Sequence, residues 1–262
     1  QTTLLPSATA SEAVGAALAG APRPLMLGDR LVDVDAVWRI ADIGGSDDTG
    51  TVAGPTPALE QATGKIHVFT SGSTKQPVRH VKDWASLAGG AGLTAEILAD
   101  VGFAPGSCAI IGTTPHQHMY GLEATIFAAL ACGYCTYTGT VFYPGDLERA
   151  IDAARHAGFA KCVLVSSPVH LKFLESVLME TPEICAVISA TAPLPDILAQ
   201  RLEARGDLPV MEIFGCTETG SLAKRRTVAS DEWQPLDAFQ LAEHDGICIA
   251  TATYLPDPVP LG

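Results

Sequence analysis

The chain has 262 residues, 47% hydrophobic and 17% charged, with 16 Lys and Arg against 29 Asp and Glu, a formal net charge of −13. That length supports a sizeable buried core, and the apolar content, with a mean hydropathy of +0.24, excludes a disordered polyelectrolyte. An isoelectric point near 4.8 excludes a general nucleic-acid binder, which needs a basic face to displace counterions.

Residues 1–60 are weakly periodic and rich in Ala, Gly, Pro and Asp, and read as an irregular outer layer of the same domain as residues 61–262. Within that layer the pattern predicts a helix near Ala10–Leu18, a short strand near Leu25 and a loop over Ser46–Pro57. From Lys65 the pattern sharpens. Ile66–Phe69 predicts a strand ending in the small-residue loop Thr70–Thr74, and Trp84, Leu87, Ala91, Ala95 and Leu98 fall at helical spacing behind Asp83 as N-cap. A strand at Cys108–Ile111 is followed by a helix capped by Asp146, carrying Leu147, Ile151 and Ala154 on its apolar face and stopped by Gly158. Cys162–Val165 predicts a strand, and Ser167-Pro168 opens a helix bearing Leu171, Leu174 and Leu178. Strand, helix and strand follow at Ile184–Ile188, Pro195–Arg205 and Val210–Phe214. This alternation predicts an α/β fold of mostly parallel sheets with helices on both faces. Ligands of such sheets lie at the carboxyl ends of the strands. The loops Thr70–Thr74 and Gly215–Gly220 are both expected there.

The seven cysteines are odd in number and scattered, which reads as reduced thiols of a cytoplasmic protein rather than a disulfide framework. No signal-peptide pattern is read at Gln1, and the most apolar stretch, 122–141, carries Glu123 among many Gly, Thr and Ala residues, so no membrane span is expected.

Three segments carry candidate chemistry. Thr70-Ser71-Gly72-Ser73-Thr74-Lys75 packs hydroxyls and a glycine into a loop dense in donors, suited to phosphate oxygens. It is not a Walker A loop, and a plain Ser/Gly turn has the same composition. In Phe214-Gly215-Cys216-Thr217-Glu218, a strand-end aromatic could stack on a base and the carboxylate could hold a divalent cation on phosphates, or the segment is a tight turn with a solvated Glu. His116-Gln117-His118 lacks a third metal ligand at matching spacing, and Cys132–Cys135 is a CxxC without a partner pair. No G-x-S-x-G nucleophile elbow occurs.

Taken in order, these segments resemble the AMP-forming acyl-CoA synthetases and adenylation domains, the adenylate-forming superfamily. Thr70–Thr74 with Pro77 resembles the family's T-S-G-S-T-G-x-P-K phosphate loop, and Ser189-Ala190-Thr191-Ala192-Pro193-Leu194 its G-G-A-P-L adenine-side segment. His118–Leu122 is similar to the acyl-side motif, and Phe214–Glu218 to Y-G-x-T-E. The runs Gln117–Glu123 and Lys224–Arg226 resemble the compact synthetases of aryl-polyene or xanthomonadin-type pathways. The resemblance covers roughly residues 60–262 and implies the large N-terminal domain of such enzymes. The family's ribose-binding Asp, hinge and C-terminal lid have no counterpart up to Gly262.

The implied reaction activates a small-molecule carboxylic acid, aryl or medium-chain, with ATP and Mg²⁺ to an acyl-adenylate. CoA or the phosphopantetheine of an acyl carrier protein then takes the acyl group. A non-catalytic nucleotide- or acyl-binding module derived from such an enzyme is the alternative. By the resemblance, Thr70, Ser71, Gly72, Ser73, Thr74 and Lys75 hold the β- and γ-phosphates. Ser189, Ala190, Thr191, Phe214 and Gly215 enclose adenine. Thr217 touches the α-phosphate, Glu218 binds Mg²⁺, and His118 stands at the mouth of the acyl pocket. The sequence departs from the pattern at Lys75, where the loop has its second Gly, and at Val78, where it has Lys; Lys75, Arg79 or Lys82 could supply that cation.

Overall fold

A computed structural model describes residues 23–27, 30–34, 65–71, 77–116, 118–137 and 139–261. The expected helix at Ala10–Leu18, the loop at Ser46–Pro57 and the phosphate-loop residues Gly72, Ser73, Thr74 and Lys75 lie outside the described residues.

The first sheet is antiparallel: β1 (Arg23–Leu27), β2 (Arg30–Val34), β3 (Lys65–Ser71) and β4 (Pro77–Asp83), neighbours in that order. The strand expected near Leu25 is β1. Val34 pairs with Ile66, which joins the early residues to the segment beyond 60. β3 departs from expectation. It pairs antiparallel with β4, Ser71 opposite Pro77, and belongs to no parallel sheet, so Thr70 and Ser71 do not end a parallel strand. The sequence hid β4 because its burial runs against polarity: Val81 is 45% exposed while Lys82 is 8% exposed. An apolar-in, polar-out alternation therefore never forms.

α1 (Trp84–Asp100) starts as expected, with the Asp83 carboxylate accepting from the Ser86 amide at 2.7 Å. The second sheet contains β5 (Ala109–Gly112), β6 (Cys135–Tyr137), β7 (Cys162–Ser166), β8 (Ile184–Ser189), β9 (Val210–Cys216), β10 (Gly220–Arg225) and β11 (Gln234–Pro235). Its order is β11-β10-β9-β8-β7-β5-β6. The five strands from β6 to β9 are parallel, and β10 and β11 extend them antiparallel.

Between β5 and β6 the chain runs through α2 (Met119–Gly121), a π-helical stretch (Leu122–Phe127) and α3 (Ala128–Cys132). α4 (Pro144–His156), α5 (Pro168–Glu180) and α6 (Asp196–Glu203) complete the crossovers. A third antiparallel sheet, β12 (Phe239–His244), β13 (Ile247–Ala252) and β14 (Val259–Leu261), follows.

The parallel strands are buried on both faces, and period-2 alternation splits their side chains between two cores. Val163 and Val165 pack with Ile97, Leu98, Ile188 and Ile213 on the α1 side. Leu164 packs with Leu147, Leu171, Leu174 and Leu198 on the other. One local expectation is corrected. Asp146 is not the N-cap of α4: Tyr143 is, and Asp146 sits three residues in, accepting from the Tyr143 amide at 2.8 Å. Pro144 at the first turn lacks an N–H to satisfy, so the helix begins earlier than a carboxylate-led reading suggests. Among the described residues, no helix is long and apolar enough to cross a membrane.

Candidate functional site

At the carboxyl ends of β8 and β9, beside the start of α2, lies a cavity of about 170 Å³. Its walls include His118, Glu123, Thr191, Gly215, Thr217 and Ser221. It thus brings together residues from three of the four predicted segments. Ala190 also lines it, while Ser189 is fully buried behind it. Of the fourth segment, the structure describes the backbone of Thr70 and Ser71, at the end of β3.

The wall after β8 is strained. Thr191 has φ +78, a left-handed conformation rare for a β-branched residue. Three residues on, the Leu194 amide donates to Oε1 of Glu212, buried in β9, at 2.7 Å. The Glu212 Oε2 accepts from Arg225 Nε at 2.7 Å and from the Thr227 hydroxyl at 3.0 Å. One carboxylate therefore ties the loop after β8 to the far end of β10.

Phe214 is 46% exposed and absent from the cavity wall. Its ring lies 5.6 Å from that of Trp233, over which Arg225 sits at 4.5 Å. The aromatic predicted to meet a base is thus one end of an Arg–Trp–Phe cluster, its ring tilted 51° to that of Trp233.

The β9–β10 turn closes tightly. Gly220 has φ +72, and a β-carbon on Gly215 would lie 2.2 Å from the Gly220 carbonyl oxygen. Thr219 bridges the turn, its hydroxyl accepting from the Cys216 amide at 3.3 Å. Thr217 faces the cavity, whereas Glu218 lies outside it, its carboxylate 3.7 Å from His80 Nδ1. Partial burial works against the Glu218 charge. Its hydrogen bonds to its own amide and to Cys216, with His80 and Lys82 nearby, outweigh burial and hold its pKa below the usual carboxylate value.

His118 is exposed at the N-cap of α2, on the cavity wall. His116 is buried, with Nδ1 3.1 Å from the Thr125 hydroxyl, so the two histidines of the HQH run part company. Among the described residues, no three His, Cys, Asp or Glu side chains converge to hold a metal. Magnesium that keeps its waters and phosphate ligands requires only one or two carboxylates. The half-exposed, charged Glu218 fits that requirement. All seven cysteines are free thiols.

Sequence reasoning missed Glu123, Glu212 and Ser221 as parts of the site. Glu123 sat in an apolar run and Glu212 in a strand interior, positions where a carboxylate is itself the signal, because charges are rarely buried without a partner.

The architecture is that of the N-terminal domains of adenylate-forming enzymes. An AMP-forming acyl-CoA synthetase-like protein from Dyadobacter fermentans matches 75% of this chain and 55% of its own, with a TM-score of 0.59 and 20% identity. The o-succinylbenzoate–CoA synthetase of Bacillus subtilis, solved with ATP and a magnesium ion, matches 73% of this chain and 42% of its own, with a TM-score of 0.58 and 18% identity. In sequence, the chain is 28% identical over 206 residues to a 4-coumarate–CoA ligase of Rhodobacter capsulatus, covering 78% of this chain. The chain spans about half the length of that curated relative, 49%. No family model matches the chain.

Proposed function

We propose that this chain carries the nucleotide- and acid-binding part of an AMP-forming acid–thiol ligase of the adenylate-forming superfamily. In that reaction a carboxylate oxygen attacks the α-phosphorus of ATP, expelling pyrophosphate and leaving an acyl-adenylate. A thiol, of CoA or of a carrier protein's phosphopantetheine, then attacks the acyl carbon and releases AMP. The observation that carries this reading is the convergence of Thr191, Thr217 and His118 on one cavity, with Glu218 on the same turn as Thr217.

The residues at the cavity have tasks that their surroundings support. Ala190, Thr191 and Gly215 wall the purine, and the strained Thr191 backbone brings that wall close. The Thr217 hydroxyl donates to an α-phosphate oxygen. Glu218 holds magnesium, which when bound neutralises charge on the phosphates. His118 stands at the entrance for the acid, and Thr70–Lys75 cradle the terminal phosphates. The negative acid and the negative nucleotide are thereby brought together without full repulsion. The similarity to a 4-coumarate–CoA ligase supports an aryl acid as the substrate.

The test is calorimetry with AMP and with Mg·ATP. Glu218→Gln keeps the shape and removes the charge, so Mg·ATP affinity should fall at least about tenfold, as loss of a metal-site group does. AMP affinity should hold. Unchanged Mg·ATP binding would remove Glu218 from the metal role, and a wild-type chain that binds neither ligand would end the nucleotide reading.

A further inference from the structure

The turn that carries Thr217 and Glu218 is gripped from two sides by buried ionisable side chains. Lys82, on β4, is 8% exposed, and its Nζ donates to the Glu218 carbonyl oxygen at 2.5 Å. Glu123, on the π-helical stretch, is 1% exposed, and its Oε2 accepts from the Ser221 amide at 3.1 Å and the Ser221 hydroxyl at 3.2 Å. The two contacts bracket the turn at residues 218 and 221.

The packing around Glu123 is shaped to admit its carboxyl group. A β-carbon on Gly90 of α1 would lie 1.3 Å from Oε1, and one on Gly220 would lie 2.5 Å from it. Two glycines thus leave the space that this oxygen occupies. Among the described residues, Oε1 has no hydrogen-bond partner.

Burying such groups is costly unless they are paired and hydrogen-bonded, and an apolar side chain of similar volume would pack there at less cost. Desolvation lowers the Lys82 pKa against the pull of Glu123, and desolvation raises that of Glu123 to about 7 against the pull of Ser221 and Lys82. Both groups pay for their location in solvation, yet each spends its strongest contact on the same turn.

We infer that Lys82 and Glu123 are positioning residues: they fix the Cys216–Ser221 segment so that Thr217 lines the cavity while the Glu218 carboxylate stays outside it, beside His80. The metal-side consequence rests on Glu218 having the role proposed above. Lys82 comes from the strand that follows the phosphate-loop segment, so it also links that hairpin to the Thr-Glu turn. Neither side chain is assigned a contact with nucleotide or acid.

The experiment combines amide hydrogen exchange on the ligand-free chain with calorimetry on Lys82→Met, Glu123→Leu and Glu123→Gln. Exchange at amides 216–221 should quicken about tenfold in Lys82→Met and Glu123→Leu, as local opening becomes easier, while strands β7 and β8 keep their protection. Glu123→Gln, which can still accept from Ser221, should restore most of it. Mg·ATP affinity should fall about tenfold in Lys82→Met and Glu123→Leu, the scale seen when groups supporting a metal ligand are lost, and AMP affinity should fall with it because the same segment carries Thr217. If Glu123→Leu does not fold, Lys82→Met alone makes the same test. Unchanged exchange at 216–221 overturns the inference, and so does Mg·ATP binding that stays at the wild-type level in the variants whose exchange has quickened. If the wild-type chain binds no nucleotide, the proposed function fails, and the exchange data alone decide whether the two residues hold the turn.

Discussion

The parallel strands β5, β7, β8 and β9 bury apolar side chains on both faces, whereas the hairpin β3–β4 turns a valine outward and a lysine inward. The first arrangement gains stability from continuous apolar contact and needs little from any single polar group. The second commits a buried cation to one carbonyl 136 residues further along the chain. Stability is thus concentrated in the middle of the large sheet, and specific polar contacts gather where its rim meets the hairpin. The rim accordingly tolerates a left-handed Thr191, a buried Glu212 and a buried Glu123, because the sheet beneath them is secure.

The contrast can be broken most directly in the two cores. Leu164→Ala, fully buried in the parallel sheet, should cost about 4 kcal/mol in urea unfolding, from lost transfer energy plus the cavity left behind. Val68→Ala in β3, 1% exposed, removes two methyl groups and should cost about 2 kcal/mol. A Val68 variant as damaging as the Leu164 variant would show that the hairpin shares fully in the core.

A pH titration sharpens the rim side of the comparison. The Glu123 pKa is raised from 4.5 to about 7, first by desolvation, with Ser221 and the Lys82 charge opposing. The folded state therefore holds a proton there that the unfolded chain has released between those values. Its contribution is full below pH 4.5 and is lost as pH rises towards 7. Relative to Glu123→Gln, which has no such proton, the wild-type chain should lose up to about 3 kcal/mol between pH 4.5 and pH 8. Parallel stability curves for the two proteins would show that Glu123 does not titrate in this window.

The smallest effect is at Thr191. Replacing it with Gly relieves a left-handed backbone but adds freedom to the unfolded chain, for a net gain of about 1 kcal/mol. Nucleotide affinity should weaken at the same time, since the relaxed loop no longer presents a fixed wall. A stability loss on Thr191→Gly would mean that the side chain's contacts outweigh the strain.

Much of the large sheet was legible in the sequence. Apolar runs such as Cys162–Val165, helical spacing at Leu171, Leu174 and Leu178, and the Asp83 cap are local patterns, and local backbone physics turns each into one element. The Thr217 segment was legible as a candidate binding loop, because small and polar residues after an apolar run mark strand ends wherever they occur, whereas the Thr191 segment was marked only by the family resemblance. The antiparallel pairing of β3 with β4 was not legible, since Val81 and Lys82 invert the alternation that announces a half-buried strand. Nor was Glu123. A carboxylate between Leu122 and Ala124 carries no local mark of its partner at Ser221, 98 residues away. The sequence by itself determined the parallel core and the order of the candidate loops, because periodicity acts over a few neighbouring residues. The tertiary structure alone decided which charges are buried and what they hold, because the cost of removing a charge from water and the partner that offsets it depend on residues brought close only by folding.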